Sequence, residues 1–227
     1  MIREFPTAEE LAGALAREVA AALAARLTRG GAAALAVSGG STPLRFFRAL
    51  AAQVLDWDKV TVTLVDDRWV GEDSPRSNAA LVRAHLLQGR AAAARFVPLM
   101  NDAPTPEAGR AATEAALRKL PPLAAVVLGM GADGHTASFF PGGDRLAQAL
   151  APAQGEWVET MRAPGALEPR ITLTLPPLLA AGFVALHIEG AAKRAVLEEA
   201  LRPGPMVDLP VRAVLARAPQ PVVFWSP

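Results

Sequence analysis

Apolar and polar positions along this chain fall into blocks with two different periods. Thr7 followed by Glu10 has the spacing of a capping box, and the Ala/Leu-rich "LAGALAREVAAALAARL" behind it predicts a helix stopped by Gly30 and Gly31. "AAALAV" (32–37) is then an unbroken apolar run, the mark of a strand buried on both faces, and it ends in the turn "SGGSTP". Pro43 stands where the first position of a helix, "PLRFFRALAAQ", accepts proline. The alternation continues with "KVTVTLV" (59–65) as a strand, "DDRWVGEDSPRSN" as a long polar loop, "NAALVRAHLL" as a helix and "RFVPLM" as a strand. Thr105-Pro106 opens a helix through "EAGRAATEAALRKL", and "LAAVVL" (123–128) is a buried strand. "WVETM", "RITLTL" and "GFVALHI" are strands, followed by the helix "GAAKRAVLEEAL" and a last strand, "PVVFW". Doubly apolar strands alternating with helices imply an α/β fold: a mostly parallel, Rossmann-like sheet with helices on both faces. No internal repeat, low-complexity tract or linker interrupts the pattern, so residues 1–227 read as one domain.

In such a sheet ligands sit beyond the carboxyl ends of the strands. The polar, glycine-rich segments fall there: Ser38-Gly39-Gly40-Ser41-Thr42 after one strand, Asp66-Asp67-Arg68 after the next, and "GMGADGHTAS" (129–138) after "LAAVVL". In "SGGSTP" the glycines let backbone approach a ligand, and N–H groups at the start of a helix favour an anion. The plain alternative is a tight turn capped by Ser41 or Thr42. The Walker pattern is absent. "DDR" offers either a proton-shuttling carboxylate pair with an anion-clamping arginine, or an ion pair on a solvated loop.

"GMGADGHTAS" has G-x-G-x-x-G spacing, yet it lacks the context of a dinucleotide site. Phe139-Phe140-Pro141-Gly142-Gly143 breaks the helix that should follow, and Glu156 precedes its candidate strand instead of ending one. A catalytic reading suits it better. Asp133 and His135, one glycine apart in an extended loop, can share a side, so that the carboxylate orients the imidazole and leaves its other nitrogen as base. His85 reads as a partly exposed helix residue and His187 as a hydrogen-bonded strand residue. Arg170, just before "ITLTL", and Lys193, just after "HIEG", are either surface charges or cations reaching over a phosphate on the serine turn.

Composition narrows the class further. The chain is 52% hydrophobic and 20% charged with a net charge of +1, so no global field pulls it toward nucleic acid or anionic lipid. There is no cysteine, which removes disulfides and thiolate chemistry and fits a reducing compartment. "MIREFPTAEEL" is charged and lacks the apolar core of a secretory signal, and no run has the length of a membrane span; a cytoplasmic protein is expected. Three scattered histidines without H-x-x-x-H or H-E-x-x-H spacing argue against a transition metal, and the missing G-x-S-x-G argues against a serine hydrolase.

With these motifs in this order, the chain resembles the 6-phosphogluconolactonase family, whose relatives include glucosamine-6-phosphate deaminase. "SGGSTPLRFFRAL", "DDRWV", Ser77-Asn78, "LGMGADGHTASFFPG", "RITLT" and "EGAAKRAVL" carry the resemblance across nearly the whole chain. It implies hydrolysis of 6-phosphoglucono-1,5-lactone to 6-phosphogluconate, the second step of the oxidative pentose phosphate pathway, without metal or organic cofactor. It further implies a sugar-phosphate substrate, no nucleic-acid or membrane partner, and a monomer. The family's phosphate turn carries over to Gly39, Gly40, Ser41 and Thr42, with Arg170 and Lys193 as basic partners. The catalytic histidine carries over to His135 with Asp133 beside it, and the acidic-loop positions to Asp66 and Arg68. Asp66 is left with two readings, a proton relay or a support for Arg68. Deaminases of the family have a glutamate where this chain has Phe140 and a tyrosine where it has Arg68, and both departures favour the lactonase. Ser38 replaces a glycine common in the family. A non-catalytic sugar-phosphate sensor is the alternative outside enzymes.

Overall fold

The computed structural model describes residues 1–217 and 220–227. Among them the strands are β1 (Ile2–Glu4), β2 (Ala33–Val37), β3 (Val60–Leu64), β4 (Asp66–Arg68), β5 (Arg95–Val97), β6 (Leu123–Leu128), β7 (Val158–Met161), β8 (Arg170–Leu173), β9 (Phe183–Glu189) and β10 (Val222–Ser226). The helices are α1 (Ala8–Gly30), α2 (Leu44–Ala51), α3 (Asn78–His85), α4 (Pro106–Leu117), α5 (Leu146–Leu150), α6 (Leu175–Leu179), α7 (Ala191–Ala200) and α8 (Val211–Leu215).

Seven strands form a parallel sheet in the order β1-β10-β9-β6-β2-β3-β5. The central strands β2 and β3 are buried at every position, as their apolar runs require when helices cover both faces. α1 behaves as its sequence demands. Thr7 Oγ1 accepts from the Glu10 N–H, and Leu11, Leu15, Val19 and Leu23 recur on one buried face that packs on the sheet and on α2. Each such side chain contributes roughly 1.5–3 kcal/mol by leaving water. Strand order reverses at β2, which pairs with β3 on one side and β6 on the other. That is the switch point where α/β sheets open a crevice.

The sequence pattern announces none of the short helices α5, α6 and α8, and it differs from the structure at further points. The charged segment at the start forms β1, a three-residue edge strand whose partner, β10, lies at the far end of the chain. "DDR" is strand β4 instead of loop, and the "RITLTL" and "WVETM" strands join it in a separate antiparallel sheet ordered β4-β8-β7. The hand-over between sheets occurs at Val65, whose N–H donates to the Val37 carbonyl while its own carbonyl accepts from the Leu173 N–H. Residues Trp57–Lys59 form a 3₁₀ turn before β3, and Pro43 sits one position before α2, as its N-cap.

Candidate active site

The segments that follow β2 and β6, the short second sheet, and His187 of β9 with Lys193 of α7 enclose a cavity of about 260 Å³. Every sequence-predicted site residue except Asp133 lines it, and Asp133 touches it through His135. Two glycines permit the approach. A Cβ on Gly39 would collide with the Asn78 side chain, and one on Gly131 would collide with the His135 imidazole.

The phosphate-turn candidates begin at the β2 end. Ser38, buried, donates its N–H to Val127 and accepts the Gly129 N–H on Oγ at 3.0 Å, so this departure from the family glycine ties the two loops together. Neither Ser41 nor Thr42 caps α2, which leaves both hydroxyls directed to other uses. Lys193, in the first turn of α7, reaches back and donates to Thr42 Oγ1 at 3.4 Å. Burial lowers the Lys193 pKa, opposed by the charge of Glu189. His187 is buried, hydrogen-bonds Glu189 at 3.1 Å through Nε2, and also lines the cavity; this bond holds Glu189 below the usual carboxylate range. His85 is partly exposed on α3.

On the 129–138 loop, His135 Nδ1 lies 2.6 Å from Asp133 Oδ1, and the same oxygen accepts the His135 N–H. The hydrogen bond from His135 lowers the Asp133 pKa despite partial burial. An anionic Asp133 accepts the Nδ1 proton and leaves Nε2 with its lone pair, the tautomer a general base needs. The loop's glycine N–H groups are spent: Gly129 donates to Ser38 Oγ, Gly131 to the His135 carbonyl and Gly134 to the Gly131 carbonyl. They are therefore not free to meet an oxyanion, whereas the Arg68 guanidinium lines the cavity.

Phe140 stands between two of these groups. Its ring lies 4.4 Å from that of His135, and the Arg170 guanidinium lies 5.3 Å above it. Arg170 is almost fully buried; desolvation lowers its pKa while Asp66, 3.8 Å away, opposes that shift. Asp66 accepts a 2.6 Å hydrogen bond from Ser138 Oγ and forms no hydrogen bond or ion pair with the Arg68 side chain. The carboxylate next in sequence supports Arg68 instead: Asp67 accepts the Arg68 and Asn78 N–H groups on Oδ1 and that of Ala79 on Oδ2. The Arg68 guanidinium donates to the Arg76 carbonyl.

Sequence reasoning passed over Ser138 and His187 as site residues, and the carboxylate pair it weighed is not one, because Asp67 turns to backbone N–H groups and does not line the cavity. Ser138 ends "GMGADGHTAS", but only its distant partner Asp66 gives it a task. Among the described residues, no group of three His, Asp or Glu side chains is close enough to hold a metal ion.

Residues 6–225 match the family described as glucosamine-6-phosphate isomerases/6-phosphogluconolactonase. A protein named 6-phosphogluconolactonase from Mesorhizobium japonicum is 56% identical, covering 98% of this chain and 94% of its own. One from Rhizobium meliloti is 52% identical over 98% of this chain and 97% of its own. The crystal structure of a 6-phosphogluconolactonase from Shewanella baltica superposes with a TM-score of 0.97 at 41% identity, covering 100% of this chain and 97% of that one. By motif order, fold and similarity along its full length, the chain belongs to the glucosamine-6-phosphate isomerase/6-phosphogluconolactonase family.

Proposed function

We propose that this protein is a carboxylic-ester hydrolase that opens 6-phospho-D-glucono-1,5-lactone to 6-phospho-D-gluconate, within the pentose phosphate pathway. The observation that carries this reading is the pairing of the Asp133–His135 couple with Lys193, Thr42 and Arg170 around one cavity of sugar-phosphate size. Relatives named 6-phosphogluconolactonase at 52–56% identity support the choice of substrate.

The lactone is already activated by its ring, so the protein must aim a water, steady an oxyanion and anchor the far end. The phosphate docks on the Gly39-Gly40-Ser41-Thr42 turn with Lys193 and Arg170, and that remote binding energy orients the carbonyl. His135 Nε2 takes a proton from water as the oxygen attacks C1, and Asp133 stabilises the imidazolium that forms. Arg68 receives the oxyanion, a task worth about 3–4 kcal/mol for one well-placed donor. As the ring C–O bond breaks, the imidazolium returns its proton to the leaving oxygen. Phe140 speaks against deaminase chemistry in this site, because an apolar ring packed on His135 cannot carry a proton.

The test follows freshly generated lactone by NMR with wild type, His135→Ala and no protein, since the lactone also hydrolyses unaided. The expected result is a kcat lower by about 10²–10⁴ in the variant with KM little changed. A large rise in KM alone would assign His135 to binding. No acceleration by a wild-type sample that still binds 6-phosphogluconate would favour the sensor.

A further inference from the structure

Asp66 on β4 and Arg170 on β8 bring opposite charges into one buried corner, where their attraction is strong. Such pairs ordinarily close to charge-assisted hydrogen bonds of about 2.8 Å. This one stays open, with Arg170 Nη1 3.8 Å from Asp66 Oδ2. Oδ2 is held in place by Ser138, whose hydroxyl donates to it at 2.6 Å. Ser138 is fully buried and aimed from two sides. Its N–H donates to Thr172 Oγ1 on β8, and the tight turn from Thr136 to Phe139 holds Ala137 at a φ of 48°. Arg170, meanwhile, is 7% exposed and has no hydrogen-bond partner for Nε; its guanidinium rests on Phe140 at the cavity wall.

We propose that Ser138 is a positioning residue: by holding Oδ2 of Asp66 it prevents that carboxylate from capturing Arg170, and it leaves the buried guanidinium free for the anionic group of the substrate. This rests on the reading of Arg170 as an anion anchor. A serine hydroxyl has one proton, and here it goes to Asp66. Without it, Asp66 Oδ2 is a buried acceptor lacking a partner, a costly state that closure onto Arg170 relieves. A phosphorylated ligand must then break a closed ion pair before it can bind.

The experiment is calorimetric titration of 6-phosphogluconate into wild type, Ser138→Ala, Asp66→Asn, the double variant and Arg170→Ala. Ser138→Ala is expected to weaken binding by about tenfold, the scale of one charge-assisted hydrogen bond. In the Asp66→Asn background the same change is expected to have no further effect, because an amide carries no charge with which to capture Arg170. Equal weakening in both backgrounds, as loose packing alone would produce, overturns the proposal. So does unweakened binding in Ser138→Ala while Arg170→Ala binds poorly, and that outcome leaves the anchor reading standing. If Arg170→Ala binds as tightly as wild type, the anchor reading itself falls and the role of Ser138 with it.

Discussion

Asp67 sits one residue from the site and does a different job from Asp66. Burial pushes its carboxyl from 3.8 up to about 7, against three backbone N–H bonds that act in the opposite direction. The native state therefore holds a proton that the unfolded chain releases over that interval. Its contribution to stability is full below pH 3.8 and is lost as pH rises through about 7. Asp67→Asn removes this titration, so the melting-temperature gap between wild type and variant should widen as pH falls from about 8 to about 5. Calorimetric melts across that range check it, and a gap independent of pH would mean that the folded carboxyl stays ionised. Sequence alone could not separate the two aspartates. Adjacent residues on a strand face opposite ways, and only the pairing of β4 with β8 decides which one faces the cavity.

At the scale of elements, the 129–138 loop is where local chemistry and tertiary contact meet. Its glycine spacing imitates a dinucleotide turn, but its N–H groups are consumed within the loop and by Ser38, and His135 folds back over Gly131. Gly131→Ala should therefore displace the imidazole without unfolding the sheet. We expect kcat to fall by about 10²-fold at nearly constant KM, the cost of misplacing a catalytic group by about 1 Å. Steady-state kinetics beside a melting curve check it, and an unchanged kcat would show that the imidazole can yield to a methyl group. α1 and the buried strands β2, β3 and β6 were legible from period and capping because their signals are local. β1 and β4 were not, since three charged or mixed residues become strand only when a distant partner supplies the hydrogen bonds.

For the whole molecule, the candidate site spans two sheets. Thr42, in the turn after β2, and Lys193, on α7 after β9, follow strands of the parallel sheet, Arg170 and Asp66 belong to the antiparallel one, and Val65 is bonded to both. A ligand that binds across this seam should stabilise the fold as a unit. With 6-phosphogluconate at about 100 times its Kd the gain is about 2.7 kcal/mol, or roughly 5–10 °C in Tm for a chain of this size. Lys193→Ala and Arg170→Ala should each reduce that shift by several degrees, as thermal scans with and without the ligand can measure. A shift lowered by only one of the two variants would put the phosphate on a single sheet.

The α/β class, the main helices and the residue types of the site were all determined by sequence, because periodicity, capping and turn chemistry act over a few neighbours. The family was legible for a related reason: its motifs are short, and their order survives without coordinates. Tertiary structure alone decided that "DDR", "WVETM" and "RITLTL" leave the parallel sheet, that Asp66 meets Ser138 and Arg170 while Asp67 supports Arg68, and that Phe140 lies between His135 and Arg170. Those contacts join residues as distant in sequence as Asp66 and Arg170, and no local energy term along the chain selects among such partners before the sheets have packed.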